Sequence, residues 1–379
     1  MVWRSTLELA VIRLGHPVAA VGSALAIALV FGCAAAGGVA AKRAVSPCGT
    51  ATAPTWSHDG TRIAWYGYRW PRPPHGDAVG SYNILRAICV SDADGKHLRR
   101  LPDTVCGERC PNAFGDPTGQ LDWVRPTLLL AANDLGIFTV SVGQKPKLLG
   151  KTGPVPFSVD VGGDRVAAGA SPSSCTRCSG PVTIRSVPSG AVVGLVGGTR
   201  VDNTEPSLSP DGTEVVFSRR PANDAGRPGI WTAAADGSHL RRLERRGDNP
   251  LWSPVGNRIA YLAPSGALPW ALRLVAPQGG VSTTLLRSGL GGLIFGWSPD
   301  GRRIAFADSS GELAVVDVAT KKVRKLLKLQ PPYGSSSVAW SPNSRQLLVV
   351  WRPPAHSSCP SALWRVPIGG AKPRLVHGC

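Results

Sequence analysis

The stretch "WSPDGRRIAF" (residues 297–306) decides the fold. A tryptophan precedes an Asp-Gly turn, and a short apolar run follows. Asp-Gly suits a turn because glycine tolerates positive φ and aspartate hydrogen-bonds the backbone beside it. The same unit recurs as "WSHDGTRIAW" (56–65), "LSPDGTEVVF" (208–217), "WSPVGNRIAY" (252–261) and "WSPNSRQLLV" (340–349). The last four copies begin 44, 45 and 43 residues apart. Between Trp56 and Leu208 lie 152 residues, room for two weaker copies: "WVRPTLLLAA" from Trp123 and "VDVGGDRVAA" from Val159.

A second marker has the same period. Gly-containing hairpin turns are expected at Gly95, Gly143, Gly190, Gly237, Gly280 and Gly370, with "VATKK" near Thr320 in the sixth unit. "ADGKHLRRL" (93–101) and "ADGSHLRRL" (235–243) stand 142 residues apart, three periods of this length. Both markers give seven units. Within each, a strand of the "RIAF" type is expected to alternate polar and apolar residues. A third strand resembles "GIWTAAA" or "ELAVVDV", and a fourth resembles "HLRRL" or "VRKLL". Four-stranded units at this spacing indicate a β-propeller. The expected fold is all-β: a seven-bladed β-propeller of four-stranded antiparallel blades over residues 44–379, with six blades as the alternative.

The "WSPDG-x-x-IAF" units resemble those of the TolB-like, WD-repeat-like propellers of bacterial envelopes, over roughly residues 50–378. That resemblance implies the fold and an envelope binding role. There are two departures: TolB has six blades, and it carries a small α/β domain where this chain has only residues 44–49 between its apolar segment and the first unit.

The 379-residue composition agrees with a β-rich body. There are 45 Gly and 34 Pro without a collagen-like period, while 43% hydrophobic residues and 12 Trp exclude a disordered chain. The formal charge is +18, and residues 44–379 keep 38 basic and 23 acidic side chains. Such a surface attracts polyanions. No basic run exceeds a few residues, so scattered loop charge is the blander explanation.

Pro17 to Ala41 is a 25-residue stretch without a charge, enough to cross a bilayer. Residues 1–43 are therefore expected to form an N-terminal transmembrane or signal helix. The chain is then extracytoplasmic and membrane-anchored, or alternatively cleaved before Lys42 and secreted, or a lipoprotein at Cys33. Eight further cysteines, Cys48, Cys89, Cys106, Cys110, Cys175, Cys178, Cys359 and Cys379, suit disulfides in an oxidising compartment. Cys106–Cys110 and Cys175–Cys178 are plausible pairs. Cys48 with Cys379 or Cys359 would tie the first blade to the last.

The chain has no nucleophile elbow, zincin motif or Walker loop. None of the seven His falls in a metal-ligand spacing, so no metal or cofactor is expected. Asp59, Asp211 and Asp300 are explained by turn chemistry. An insertion, "YGYRWPRPPHGDAVGSYN" (66–83), offers a binding loop through Tyr66, Tyr68, Arg69, Trp70, Arg72 and His75. The leading expectation is a non-catalytic, monomeric envelope scaffold. It would bind a protein or anionic polymer, contact the membrane through its N-terminal segment, and show no specific affinity for nucleic acid. The alternative is a propeller enzyme of the polysaccharide lyase or lactonase type. Such an enzyme should gather three or more His, Asp or Glu side chains from several blades at one mouth of the channel.

Overall fold

The computed structural model describes residues 48–69, 85–101, 120–133, 136–141, 144, 146–150, 157–170, 180–187, 189–221, 228–265, 268–287, 290–329, 337–351 and 362–378. They fall within one compact unit, Val45–Cys379. The candidate membrane segment lies outside the described residues, among which no helix is long and apolar enough to cross a membrane.

Seven four-stranded meanders follow one another along the chain. Blade 1 is β1 (Thr50–Trp56), β2 (Arg62–Arg69), β3 (Leu85–Asp92) and β4 (Arg99–Leu101). Blade 2 is β5 (Gln120–Arg125), β6 (Leu128–Asn133), β7 (Gly136–Ser141) and β8 (Lys147–Gly150). Blade 3 is β9 (Phe157–Gly162), β10 (Arg165–Ala170), β11 (Val182–Ser186) and β12 (Val192–Val196). Blade 4 is β13 (Val201–Leu208), β14 (Glu214–Pro221), β15 (Gly229–Ala234) and β16 (Arg241–Glu244). Blade 5 is β17 (Asp248–Trp252), β18 (Ile259–Ser265), β19 (Leu268–Val275) and β20 (Thr283–Leu286). Blade 6 is β21 (Leu290–Trp297), β22 (Arg303–Asp308), β23 (Glu312–Asp317) and β24 (Val323–Lys328). Blade 7 is β25 (Val338–Trp340), β26 (Gln346–Trp351), β27 (Ala362–Pro367) and β28 (Arg374–His377). Pairing is antiparallel within each blade, and parallel bridges of Ala170 with Thr204 and Gly180 with Asp202 join blades 3 and 4.

The repeated motif is a turn held by its own side chains. Ser298 Oγ donates to Asp300 Oδ1 at 2.6 Å and accepts from Arg303 N–H at 2.9 Å. Ser57 and Ser209 make the same bonds with Asp59 and Asp211. Gly212 supplies the left-handed residue at φ 71°, and a Cβ there would lie 2.4 Å from Gly162 O. In blade 7 Ser344 takes this conformation at φ 57°. "ADGKHLRRL" and "ADGSHLRRL" are likewise architecture: Gly95 and Gly237 are left-handed turn residues, and the outer strands β4 and β16 follow them.

The expected polar–apolar alternation is not what the second strands show. In β22, Ile304, Ala305, Phe306 and Ala307 are all buried. Both faces are covered, so alternation instead sorts residues between two neighbours. Ile304 and Phe306 pack towards blade 5, Ala305 and Ala307 towards blade 7. Seven apolar clusters, one at each blade-to-blade interface, form the core. Burial at roughly 25 cal/mol per Å² of apolar surface is the main adhesive between blades. Polar clasps add direction. The indole N–H groups of Trp297 and Trp340 each donate at 3.1 Å to the preceding blade, to Leu251 O and Gly296 O. Arginines reach the opposite way: Arg165 to Gly212 O, Arg241 to Pro277 O and Gln278 O, Arg324 to Gly369 O and Arg365 to Ala93 O. Part of the basic excess is thus structural.

Ring closure differs from the cysteine expectation. Cys48 bonds Cys89, with Cα atoms 6.2 Å apart, and neither Cys359 nor Cys379. The chain before β1 crosses β2 at Gly67, where a Cβ would meet Cys48 O at 2.2 Å. That path delivers Cys48 to Cys89 on β3. Both sulfurs are buried at the seam with Leu348, Val350 and Leu363 of blade 7. Among the described residues the seam itself is non-covalent. His377 Nε2 lies 3.2 Å from Gly49 O, and its ring sits 5.1 Å from that of Trp65. The pairs Cys106–Cys110 and Cys175–Cys178, together with Cys359 and Cys379, lie outside the described residues.

Candidate functional site

The first strand of every blade is innermost, and these strands end around an axial cavity of about 790 Å³. The position before each repeat tryptophan, or its apolar counterpart, lines it. Thr55, Asp122, Asp160 and Ser207 form a polar arc over blades 1–4. Leu251, Gly296 and Ala339 continue it as an apolar arc over blades 5–7. His58, from the first unit's turn, joins the polar side.

Hydrogen bonds fix the two carboxyl groups. Asp122 Oδ1 accepts the backbone N–H of Trp123 at 2.7 Å and faces Thr55 Oγ1 at 3.4 Å. Asp160 Oδ2 accepts Leu208 N–H at 2.6 Å and Ser207 O–H at 3.2 Å. Ser207 Oγ in turn accepts Trp252 N–H at 3.0 Å, so the network runs from blade 3 to blade 5. Burial pushes the Asp160 carboxyl up to about 7; the Leu208 N–H pulls it down, and the charge of Asp122 pushes it up. Burial also raises Asp122, offset in part by the Trp123 N–H and by His58. Near neutral pH, Asp160 therefore exists in both protonation states and is fitted to accept or return a proton. Both aspartates are half-buried, so the cavity keeps access to them.

A second carboxyl pair lies behind this arc. Glu205 Oε2 accepts Asn249 N–H at 3.0 Å, and Asp248 Oδ1 accepts Ser218 O–H at 2.8 Å. Burial, then the neighbouring Asp248 carboxylate, pushes Glu205 up to about 8. This pair ties blade 4 to blade 5. Glu205 and Asn249 both hold φ at 51°, a left-handed geometry at the bulges of β13 and β17. By contrast, the turn carboxylates Asp59, Asp211 and Asp300 are held below their ordinary value, with hydrogen bonds from the serine two residues back contributing to each.

Among the described residues no group of three or more His, Cys, Asp or Glu is placed to hold a metal ion. His58, Asp122 and Asp160 share the cavity without converging on one cation.

The described part of the insertion expected to bind belongs to β2. Tyr66 is buried in the interface of blades 1 and 2. The backbone of Tyr68 and Arg69 completes β2, while Trp70, Arg72 and His75 lie outside the described residues. The axial aspartates escaped the sequence reading. Their signal was positional: in the two weak copies, an aspartate stands directly before Trp123 and Val161.

No family model matches the chain. A curated relative, the uncharacterized peptidase YuxL of Bacillus subtilis (strain 168), is 28% identical over 123 residues, 31% of this chain. The match spans only 19% of that protein's length. Among solved structures, the oligogalacturonate lyase of Vibrio parahaemolyticus superposes with a TM-score of 0.60 at 13% identity, over 84% of this chain and 90% of that one. A puromycin-hydrolyzing peptidase of Mycobacterium tuberculosis gives 0.59 at 16% identity, over 86% of this chain and 53% of that one. TolB of Acinetobacter baumannii gives 0.45 at 15% identity, over 83% and 82% of the two chains. At these identities the likeness is one of fold, a β-propeller. It corrects the expectation of a non-catalytic protein, because the relatives found for this framework include a lyase and peptidases. The Cys48–Cys89 disulfide fits an oxidising, extracytoplasmic compartment.

Proposed function

We propose that the chain is an extracytoplasmic propeller enzyme that cleaves a polysaccharide by acid–base chemistry at the axial mouth. One observation carries this reading: His58, Asp122 and Asp160, from three consecutive blades, line one end of the channel. Asp160 is the proton-handling group, since its carboxyl titrates at about 7. Asp122 is the second carboxyl, and its charge favours the protonated form of Asp160. The polar arc suits sugar hydroxyls and the apolar arc suits the C–H face of a ring. The net charge of +18 favours an anionic polymer such as a polyuronate as substrate. The protein acts as a monomer, with residues 1–43 holding it at the membrane.

The test is cleavage of a panel of neutral and uronate polysaccharides by the full chain. New reducing ends measure total cleavage, and ultraviolet absorbance of unsaturated ends separates elimination from hydrolysis. Asp160→Asn is expected to lose activity about a hundredfold or more, the usual worth of a general acid or base. Equal rates for wild type and Asp160→Asn would overturn the assignment.

A further inference from the structure

We infer that Arg219, Trp231 and Arg242 form an oxyanion-binding site on blade 4, at the end of the blade remote from the axial mouth. The site follows from strand register. Phe217 of β14 stands opposite Trp231 of β15, and Trp231 stands opposite Arg242 of β16. Arg219 lies two residues beyond Phe217 and so shares the face of Trp231. The Arg219 guanidinium carbon is 4.6 Å from the centre of the Trp231 ring, and that of Arg242 is 5.9 Å away. One indole thus holds two cations.

What points to a ligand is the state of Arg219. Its side chain is half-buried, and its Nη1 atom is buried without a hydrogen-bond partner. The neighbouring Arg220 pairs with Asp202 at 3.1 Å, but among the described residues no carboxylate pairs with Arg219 or Arg242. Arg165, Arg241, Arg324 and Arg365 behave differently, each giving its N–H groups to carbonyls of the next blade. The indole face attracts a guanidinium but accepts none of its in-plane N–H bonds. A desolvated cation with an idle donor is costly unless an anion completes it. A carboxylate or phosphate oxygen does so by accepting from Nη1, with Arg242 as the exposed second contact. Arg245 and Arg246, exposed just past β16, extend the positive surface along which an anionic polymer would lie. β14 starts beside the Asp211–Gly212 turn at the mouth and reaches Arg219 near its far end, so this site is independent of the axial chemistry.

The test measures binding of the full chain to immobilised polygalacturonate and polyphosphate at fixed salt. Arg219→Gln and Arg242→Gln are compared with Arg302→Gln, an exposed arginine elsewhere. Arg219→Gln should weaken binding about tenfold, consistent with loss of a charged hydrogen bond, and Arg302→Gln less than about twofold. Binding to polygalacturonate alone assigns the ligand group as carboxylate; binding to polyphosphate alone assigns phosphate. Arg242→Gln, on the exposed strand, reports on the site if Arg219→Gln fails to fold. Equal losses in all three variants, or retention on neither polymer, would overturn the site.

Discussion

Replacing Asp160 with asparagine isolates one proton in the ring. Asparagine preserves the shape and can still accept the Leu208 N–H, now 2.6 Å from the carboxylate oxygen. Burial raises the wild-type carboxyl from 3.8 to about 7. The folded chain therefore holds this proton more tightly than the unfolded chain does. The stabilisation is fully present below about pH 4 and is lost as pH rises through about 7. The gap between the two pKa values corresponds to ~4 kcal/mol, at about 1.4 kcal/mol per unit. Asparagine has no proton to lose. In urea unfolding, the two proteins should be nearly equal at about pH 4, and Asp160→Asn should be the more stable by up to ~4 kcal/mol at about pH 8. A difference that stays flat across this range would refute the reasoning. So would a wild type that gains on the variant as pH rises, since that would mean Asp160 is an ionised, well-paired group.

Other parts of the ring give independent checks. The Cys48–Cys89 bond closes a separation of 41 residues, so its loss in the double serine variant should cost about 4 kcal/mol by the chain-entropy estimate. Reductant should lower the wild-type melting temperature by more than it lowers the variant's. Trp297→Phe removes the indole N–H from Leu251 O and should cost about 1 kcal/mol beyond the packing change, measured by chemical denaturation. Gly212→Ala forces a side chain into φ 71° and against Gly162 O, and should cost roughly 1–3 kcal/mol in the same assay.

The blades were legible because each repeats the same local chemistry. Asp-Gly turns with a serine two residues before the aspartate reverse the first strand into the second in blades 1, 4 and 6, and blades 5 and 7 keep that serine as Ser253 and Ser341. The weak copies at Trp123 and Val159 proved to be blades 2 and 3 because period, not motif quality, fixes their number. The start of the insertion was less legible because aromatic content cannot distinguish a loop from a strand: Tyr66 belongs to β2 and its ring fills a blade interface. The disulfide misled because sequence does not show the chain crossing Gly67. The axial site was hidden for a different reason. Asp122 and Asp160 are far apart in local motif terms, and only superposing the units places both on the channel side. Arg219 was equally silent, since having no carboxylate partner among the described residues is a property of folded neighbours.

The pH–rate profile of polysaccharide cleavage, wild type against Asp160→Asn, bears most directly on the axial assignment. Cleavage by the wild type should inflect near pH 7, where the Asp160 carboxyl titrates. The variant should remain folded, and at alkaline pH be the more stable, yet be inactive at every pH. An Asp160→Asn protein that cleaves at the wild-type rate, or a wild-type profile without that inflection, would contradict a proton-handling role for the axial mouth.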